Sequence, residues 1–200
     1  MVGVICPSVF EYRSLGHSKL RRERMVLIHS GMGKLRALSA CHKLIKERPR
    51  LKSILLVGFA GGLTPSLKVG DIIEPSVFIE QDYNAEPFEK FPNIIKRNGR
   101  RKLIRASSDA AMLTQDKFLK ENPYREGPYA KKYPRLACDM ESYAVAHFCR
   151  ASGIPYAVVK LISDSADANA DHDFLKACRQ LAPKLNETVL EAVHVISRSP

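Results

Sequence analysis

The stretch 156-YAVVKLISDSADAN-169 decides how this chain is read. It opens as a strand, because Tyr156, Ala157, Val158, Val159, Leu161 and Ile162 form the short apolar run of a strand buried in a parallel sheet. It then breaks into Ser163-Asp164-Ser165-Ala166-Asp167. Asp164 can cap the following turn as an Asx residue, stand as a solvated loop acid, or serve as a functional carboxylate at the edge of a sheet. Ser163 and Asp167 can support such a turn.

Outward from there, apolar runs alternate with helical segments. Residues 2–6 (VGVIC), 25–29 (MVLIH), 53–58 (SILLVG) and 102–106 (KLIRA) read as strands. Residues 69–80 read as one longer extended segment, and 33–48 and 139–152 as helices. Residues 172–197 carry an amphipathic stripe through Phe174, Leu175, Leu181, Leu185, Val189, Val193 and Ile196, with Pro183 set to kink or divide the helix. Residues 81–101 and 121–133 are polar and rich in Pro and Gly; they read as loops, the second exposed and mobile. Strands alternating with helices predict an α/β fold, a single-domain central mixed sheet flanked by helices over residues 1–200.

Composition narrows the function classes. The chain has 45% hydrophobic and 26% charged residues, a globular balance. No run reaches the roughly 18 apolar residues of a membrane span, and the N-terminus reads as a first strand, not a signal peptide. Five cysteines at 6, 41, 138, 149 and 178 form no CxxC and no zinc-ligand spacing. They are expected to be free thiols in a reducing cytoplasm, with no metal bound. The net charge of +11 comes from short basic runs such as 18-SKLRRER-24 and 96-KRNGRRKLIR-105, without interleaved aromatics. They read as a solvated basic surface and not as a specific nucleic-acid site.

In α/β sheets ligands collect beyond the C-terminal ends of strands. Those ends read 7-PSVFE-11, 29-HSGMGK-34, 58-GFAGG-62, 107-SSD-109 and 163-SD-164. SGMGK lacks the P-loop spacing and GFAGG lacks the dinucleotide-binding spacing, so each alone is a tight glycine turn. Asp139 and Glu141 sit where a helix begins. Acids there stabilise the helix N-terminus, and capping is the reading for Asp139. Glu141 has that reading too, but a carboxylate aimed into a cleft also accepts two neighbouring ribose hydroxyls.

Taken in order, 3-GVICPSVFEYRSL-15, 30-SGMGK-34, 58-GFAGGL-63 with 69-VGD-71, 107-SSDA-110, 139-DMESYAVAHFC-149 and 162-ISDSAD-167 resemble the purine-nucleoside-phosphorylase-like superfamily. Within it the chain most resembles the 5′-methylthioadenosine/S-adenosylhomocysteine nucleosidases. The resemblance runs over nearly the whole chain and implies a nucleoside-phosphorylase-like fold. It implies an N-ribosyl hydrolase that cleaves the adenine–ribose bond of a 5′-substituted adenosine with water. Candidate substrates are 5′-methylthioadenosine, S-adenosylhomocysteine and 6-amino-6-deoxyfutalosine. The alternatives are a purine nucleoside phosphorylase using phosphate and a non-catalytic nucleoside-binding homologue.

The resemblance also assigns roles. Asp164 would be the acid that protonates N7 of the leaving adenine, with Ser163 orienting it. Glu11 would activate water, unless it is a surface acid on a first helical turn. Glu141 would accept the ribose 2′- and 3′-hydroxyls and Met140 would pack under the sugar. Ala60 and Gly61 would approach base and sugar by their backbone, and Met112 would read the adenine edge by its main chain. The chain departs from the family at Phe59, where a serine is usual, and at Ala111, where a base-stacking aromatic is usual. Phe59 would give apolar contact instead. By the resemblance, the chain is also expected to lack a hairpin between Leu15 and Met25 and a helix around 85–100, regions that wall the 5′ end in the family. Lys34, Arg36 and Lys160 read as structural or surface groups. No cofactor is implied, and a homodimer is.

Overall fold

At the centre lies β3 (Ser53–Gly62), buried along all ten residues. The structure, a computed structural model, describes residues 1–15, 25–84, 93–97 and 109–198. The expected strand at 102–106 and the segments thought to lack a hairpin and a helix fall wholly or mostly outside them.

On one side β3 pairs in parallel with β1 (Val2–Cys6), which pairs in parallel with β2 (Met25–His29). On the other side it pairs in parallel with β9 (Tyr156–Asp164), and β4 (Ile72–Ile73) lies antiparallel to β9. The last residues of β3, Gly61 and Gly62, pair antiparallel with β8 (Leu136–Asp139). From there the sheet continues through β7 (Ala111–Thr114), β5 (Val77–Glu80) and β6 (Ile94–Lys96). Among the described residues, nine strands thus form one mixed sheet.

The helices are α1 (Val9–Ser14), α2 (Lys34–Glu47), α3 (Pro128–Lys132), α4 (Ser142–Ala151), α5 (Ala170–Gln180) and α6 (Ala182–Ser197). Strand alternation sends side chains to opposite faces. Ile54, Leu56 and Ala60 of β3 join a core with Ala37, Cys41 and Leu44 of α2 and Val145 and Phe148 of α4. Leu55, Val57 and Phe59 join a second core with Ala177 of α5 and Leu185, Val189 and Val193 of α6. Truncating Leu56, which has no exposure, to Ala would cost about 2–5 kcal/mol through lost burial and the cavity left behind. Among the described residues no helix is long and apolar enough to cross a membrane.

Four expectations are revised. Residues 69–80 are not one extended segment: β4 pairs with β9 and β5 with β7, and Pro75 between them has no N–H to give to a ladder. Residues 81–101, read as loop, include β6. The C-terminal stretch is divided as expected: two helices meet at Leu181, with Pro183 in the first turn of α6, where its missing N–H is harmless. Residues 121–133 include α3, whose Tyr129 and Ala130 pack on a third apolar cluster under β7 and β8. Finally, 136-LACD-139 is a strand and the following helix begins at Ser142, so Asp139 ends a strand instead of opening a helix.

Candidate active site

A cleft opens beyond the ends of β1, β3, β8 and β9. Its walls include Ser8 and Glu11, Phe59 to Gly61, Cys138 to Glu141, and Ser163 with Asp164. Met32, the segment Lys117 to Leu119, and Phe174 of α5 complete them.

GFAGG, expected as a turn, continues β3 in extended form, with a register shift between Ala60 and Gly61 against β9. Gly61 is required there for space. A Cβ on it would lie 2.9 Å from Asp164 Oδ1 and 3.0 Å from Cys138 Sγ. Absence of a side chain therefore lets Asp164 sit directly against the strand.

Asp164 is buried at the last position of β9. Its Oδ1 accepts the Ala166 N–H at 2.8 Å, the Asx turn that the sequence suggests. Ala166 adopts φ +51° in that turn. The Ser163 hydroxyl lies 2.5 Å from Oδ2 and 3.3 Å from the Ala60 carbonyl oxygen, which locks the carboxyl group in place. Burial raises the pKa of Asp164; the donors from Ser163 and Ala166 oppose this, and the nearby Asp167 and Asp173 carboxylates add to it. Capping and a proton-holding environment therefore coexist in one residue.

Glu11 is no surface acid; it is 3% exposed. Ser8 is the N-cap of α1, and its hydroxyl accepts the Phe10 N–H. Glu11 closes a capping box by accepting the Ser8 N–H at 2.8 Å through Oε2. Its Oε1 accepts the Phe59 N–H at 2.6 Å, tying α1 to β3. Burial raises its pKa, and Lys160 and the two N–H donors work the other way.

Lys160, read from the sequence as structural or surface, is 1% exposed, behind the cleft residues Asp139 and Glu141. It lies on the same face of β9 as Val158 and Ile162, four residues before the strand end at Asp164. Its Nζ is 3.1 Å from Asp139 Oδ2 and 3.5 Å from Glu141 Oε2. Burial alone would push its pKa down, but Asp139, Glu141 and Glu11 together push it up, so the ammonium stays charged. Asp139 also accepts the Thr114 hydroxyl at 2.8 Å and the Ser142 N–H, so it does cap α4, from the end of a strand.

Glu141 is the N-cap residue of α4 but makes no cap bond with its own helix. Its Oε1 instead accepts the Gly33 N–H at 2.9 Å from the start of α2. Burial lifts its pKa to about 7, with Asp139 and Glu11 adding to the rise and Lys160 and Gly33 opposing it. Met140, Ser163, Phe59, Ala60 and Gly61 also line the cleft where the sequence places them.

Met112 does not. It is wholly buried in β7 and packs in the core beneath α4, as does Ala111 in the third cluster. The cleft is reached by the residues after that strand, Lys117, Phe118 and Leu119. Phe118 sets its ring edge-on to Phe174 at 6.0 Å, and Phe174 meets Phe59 edge-on at 6.1 Å. Phe118, beyond the true end of β7, thus brings an aromatic ring to the cleft wall that Ala111 does not. Placing the strand at 102–106 put its end at 107-SSD-109; reading 111-AMLT-114 as the strand would have put the site at 115–119. Phe174 was read only as part of a core stripe.

The model of the phosphorylase superfamily matches residues 13–194. A 5′-methylthioadenosine/S-adenosylhomocysteine nucleosidase of Buchnera aphidicola is 31% identical over 75% of this chain and 66% of its own length. The chain spans 66% to 79% of the length of such relatives. Among solved structures, futalosine hydrolase of Helicobacter pylori superposes with a TM-score of 0.82 at 18% identity, covering 96% of this chain and 97% of the other. The Neisseria meningitidis 5′-methylthioadenosine/S-adenosylhomocysteine nucleosidase, in complex with methylthio-immucillin-A, gives a TM-score of 0.78 at 24% identity and covers 96% and 97%. A fold shared end to end and a family match over most of the sequence agree with the strand-end carboxylates: the chain belongs to the phosphorylase superfamily, among the 5′-methylthioadenosine/S-adenosylhomocysteine nucleosidases.

Proposed function

We propose that the chain is an adenosine-type nucleosidase that hydrolyses the N-glycosidic bond of a 5′-substituted adenosine. The observation that carries this is the presence of buried Glu11, Glu141 and Asp164 in the wall of one cleft. Breaking an N-glycosidic bond needs the departing base neutralised while positive charge grows on the sugar. Asp164, held by Ser163 and Ala166 and biased toward its protonated form by burial, supplies the proton to N7 of adenine. Glu11 accepts a proton from the attacking water as it adds to C1′. Its two N–H donors fix its direction, and burial brings its proton affinity closer to neutral pH, as a general base requires.

Glu141 accepts the two ribose hydroxyls and Met140 packs beneath the sugar. Phe118 stacks on the base and the main chain of Leu119 reads its edge, in place of Ala111 and Met112. Among the described lining residues Lys117 is the cation, and it is exposed at the rim. A cleft walled by acids suits water better than phosphate as nucleophile.

Residues 1–200 act as one domain, cytoplasmic, with five free cysteines that are all buried. The active form is a homodimer; exposed Met32, Leu35 and Tyr83 give an apolar surface that favours such pairing. Sedimentation measures that state directly.

The test is adenine release from 5′-methylthioadenosine, S-adenosylhomocysteine and 6-amino-6-deoxyfutalosine, with and without phosphate. Release in phosphate-free buffer, abolished by Asp164→Asn, supports hydrolysis. Strict phosphate dependence would make the chain a phosphorylase. A chain that binds these nucleosides and releases nothing is a non-catalytic homologue.

A further inference from the structure

Helix α2 begins without a side-chain cap of its own: Gly33 is its N-cap residue and has none to offer. A helix start leaves N–H groups without intrahelical partners. Here two of them are taken by carboxylates from distant parts of the chain. The Gly33 N–H goes to Glu141 Oε1 at 2.9 Å, and the Lys34 N–H goes to Asp116 Oδ1 at 2.8 Å.

The Lys34 side chain closes this arrangement into a ring. Its Nζ donates to Glu80 at 2.8 Å and to Asp82 at 2.6 Å. Asp82 Oδ2 then accepts the Asp116 N–H at 2.8 Å. The circuit runs from the Lys34 ammonium to Asp82, to the Asp116 backbone, through the Asp116 carboxylate and back to the Lys34 backbone. It joins the start of α2 to the segments that follow β5 and β7. Burial works against charge on both Lys34 and Asp82, yet their mutual hydrogen bonds prevail, and the lysine is held above and the aspartate below its ordinary value.

The ring touches the cleft at two points without lining it. Gly33 holds the Glu141 carboxylate, and Asp116 lies one residue before the Lys117–Leu119 wall. We propose that Lys34 is a positioning residue: its ammonium binds Glu80 and Asp82, its backbone N–H binds the Asp116 carboxylate, and together they form a clamp which sets Glu141 and Phe118 for the nucleoside. This rests on the nucleosidase reading for its effect on turnover, but the clamp itself does not. Without the ammonium, Glu80 and Asp82 lose their tie to the start of α2, and the junction between α2 and the segment after β7 loosens. Substrate binding then suffers, whereas the acid Asp164 and the base Glu11, held by other elements, do not move.

The experiment compares Lys34→Met, Lys34→Arg and Asp82→Asn by steady-state adenine release and by amide hydrogen exchange. Lys34→Met is expected to raise KM about tenfold while kcat stays within about threefold, the pattern of lost ground-state binding. Lys34→Arg, which keeps the charge and can reach both carboxylates, restores KM to within about threefold of wild type. Asp82→Asn mimics the methionine variant and serves should that variant fold poorly. The Lys34→Met/Asp82→Asn double variant is no worse than either single one, because both break the same pair. Exchange at residues 33 and 115–119 speeds up in both single variants. An unchanged KM in both single variants, an arginine variant as impaired as the methionine one, or unchanged exchange would each overturn the clamp. If wild-type protein releases no adenine from any substrate, the nucleosidase reading fails by itself, and the exchange measurement still decides the clamp.

Discussion

Replacing Gly58 by alanine adds one methyl group, and the structure says where it goes. Gly58 has φ +145°, a conformation that L side chains rarely adopt, and a Cβ there would lie 2.6 Å from Glu11 Oε1, 3.0 Å from Cδ and 3.1 Å from Oε2. The carboxylate must retreat by most of an ångström to regain van der Waals distance, or the strand must bend away. Retreat breaks the 2.6 Å bond from the Phe59 N–H and loosens the 2.8 Å bond from Ser8. A hydrogen bond to a charged group contributes about 1.5–3 kcal/mol, and the backbone strain adds about 1–3 kcal/mol. The total of roughly 2.5–6 kcal/mol is large against the about 5–15 kcal/mol of an ordinary domain, so the variant melts earlier.

The larger effect is on rate. A catalytic group misplaced by about 1 Å loses on the order of a hundredfold. Gly58→Ala is therefore expected to lower kcat for adenine release at least about a hundredfold. KM should change by less than about threefold, because Phe118 and Glu141 stand on other elements. The assay is a coupled adenine measurement at a temperature where circular dichroism shows the variant folded. A folded variant with wild-type kcat would refute both the contact and the role given to Glu11.

Phe118→Ala removes the stacking ring, and the loss of about 1–3 kcal/mol per stacked base should raise KM by about tenfold or more while kcat falls less; unchanged KM would place the base elsewhere. Lys160→Met takes the cation that faces buried Asp139, Glu141 and Glu11, and denaturant unfolding should show a loss of about 3–5 kcal/mol, the effect of leaving buried charge uncompensated. Activity should fall as pH rises through the elevated pKa of Asp164, since the acid then loses its proton. Asp167→Asn removes a negative charge that supports that proton, so the alkaline limb of the pH–kcat profile should move to lower pH at low ionic strength.

What the sequence made legible were features carried by single residues at strand ends. YAVVKLISD announces a strand closed by an acid, and the acid is found there, between Ser163 and the Ala166 N–H. Features set by pairing were not legible. GFAGG looks like a turn because glycines are common in turns; only the opposing β8 and β9 make it a strand. LACD is four residues long and buried on both faces, so it has no periodicity to detect. Lys160 looked like a surface group because lysine seldom survives burial without partners. Its partners come from β8 and the N-cap of α4, and nothing in the local sequence of β9 points to them. The misplacement of Met112 has the same origin: assigning the strand to 102–106 displaced the whole wall that follows it by several residues.

The donors around the three acids near Lys160 are unequally shared, and this inequality bears on how a nucleoside would bind. Asp139 receives Thr114, the N–H and hydroxyl of Ser142, and Lys160 at 3.1 Å. Glu11 receives two backbone N–H groups. Glu141 receives one, from Gly33, and a longer 3.5 Å approach from Lys160. With least donation and deep burial, Glu141 is left with a pKa of about 7, so near neutral pH part of the population is protonated. For stability the sign follows directly: a folded-state value above the ordinary 4.5 contributes stability fully present below about pH 4.5 and lost as pH rises through about 7. A ribose supplies the two O–H donors that Glu141 lacks, and donors to the ionised form lower its pKa. Binding must then expel the proton, and calorimetric titration of a non-hydrolysable adenosine analogue near pH 7, repeated in buffers of different ionisation enthalpy, should report a fractional proton released per site. Glu141→Gln should abolish that release, and proton uptake by the wild-type protein would mean that the ribose meets some other group.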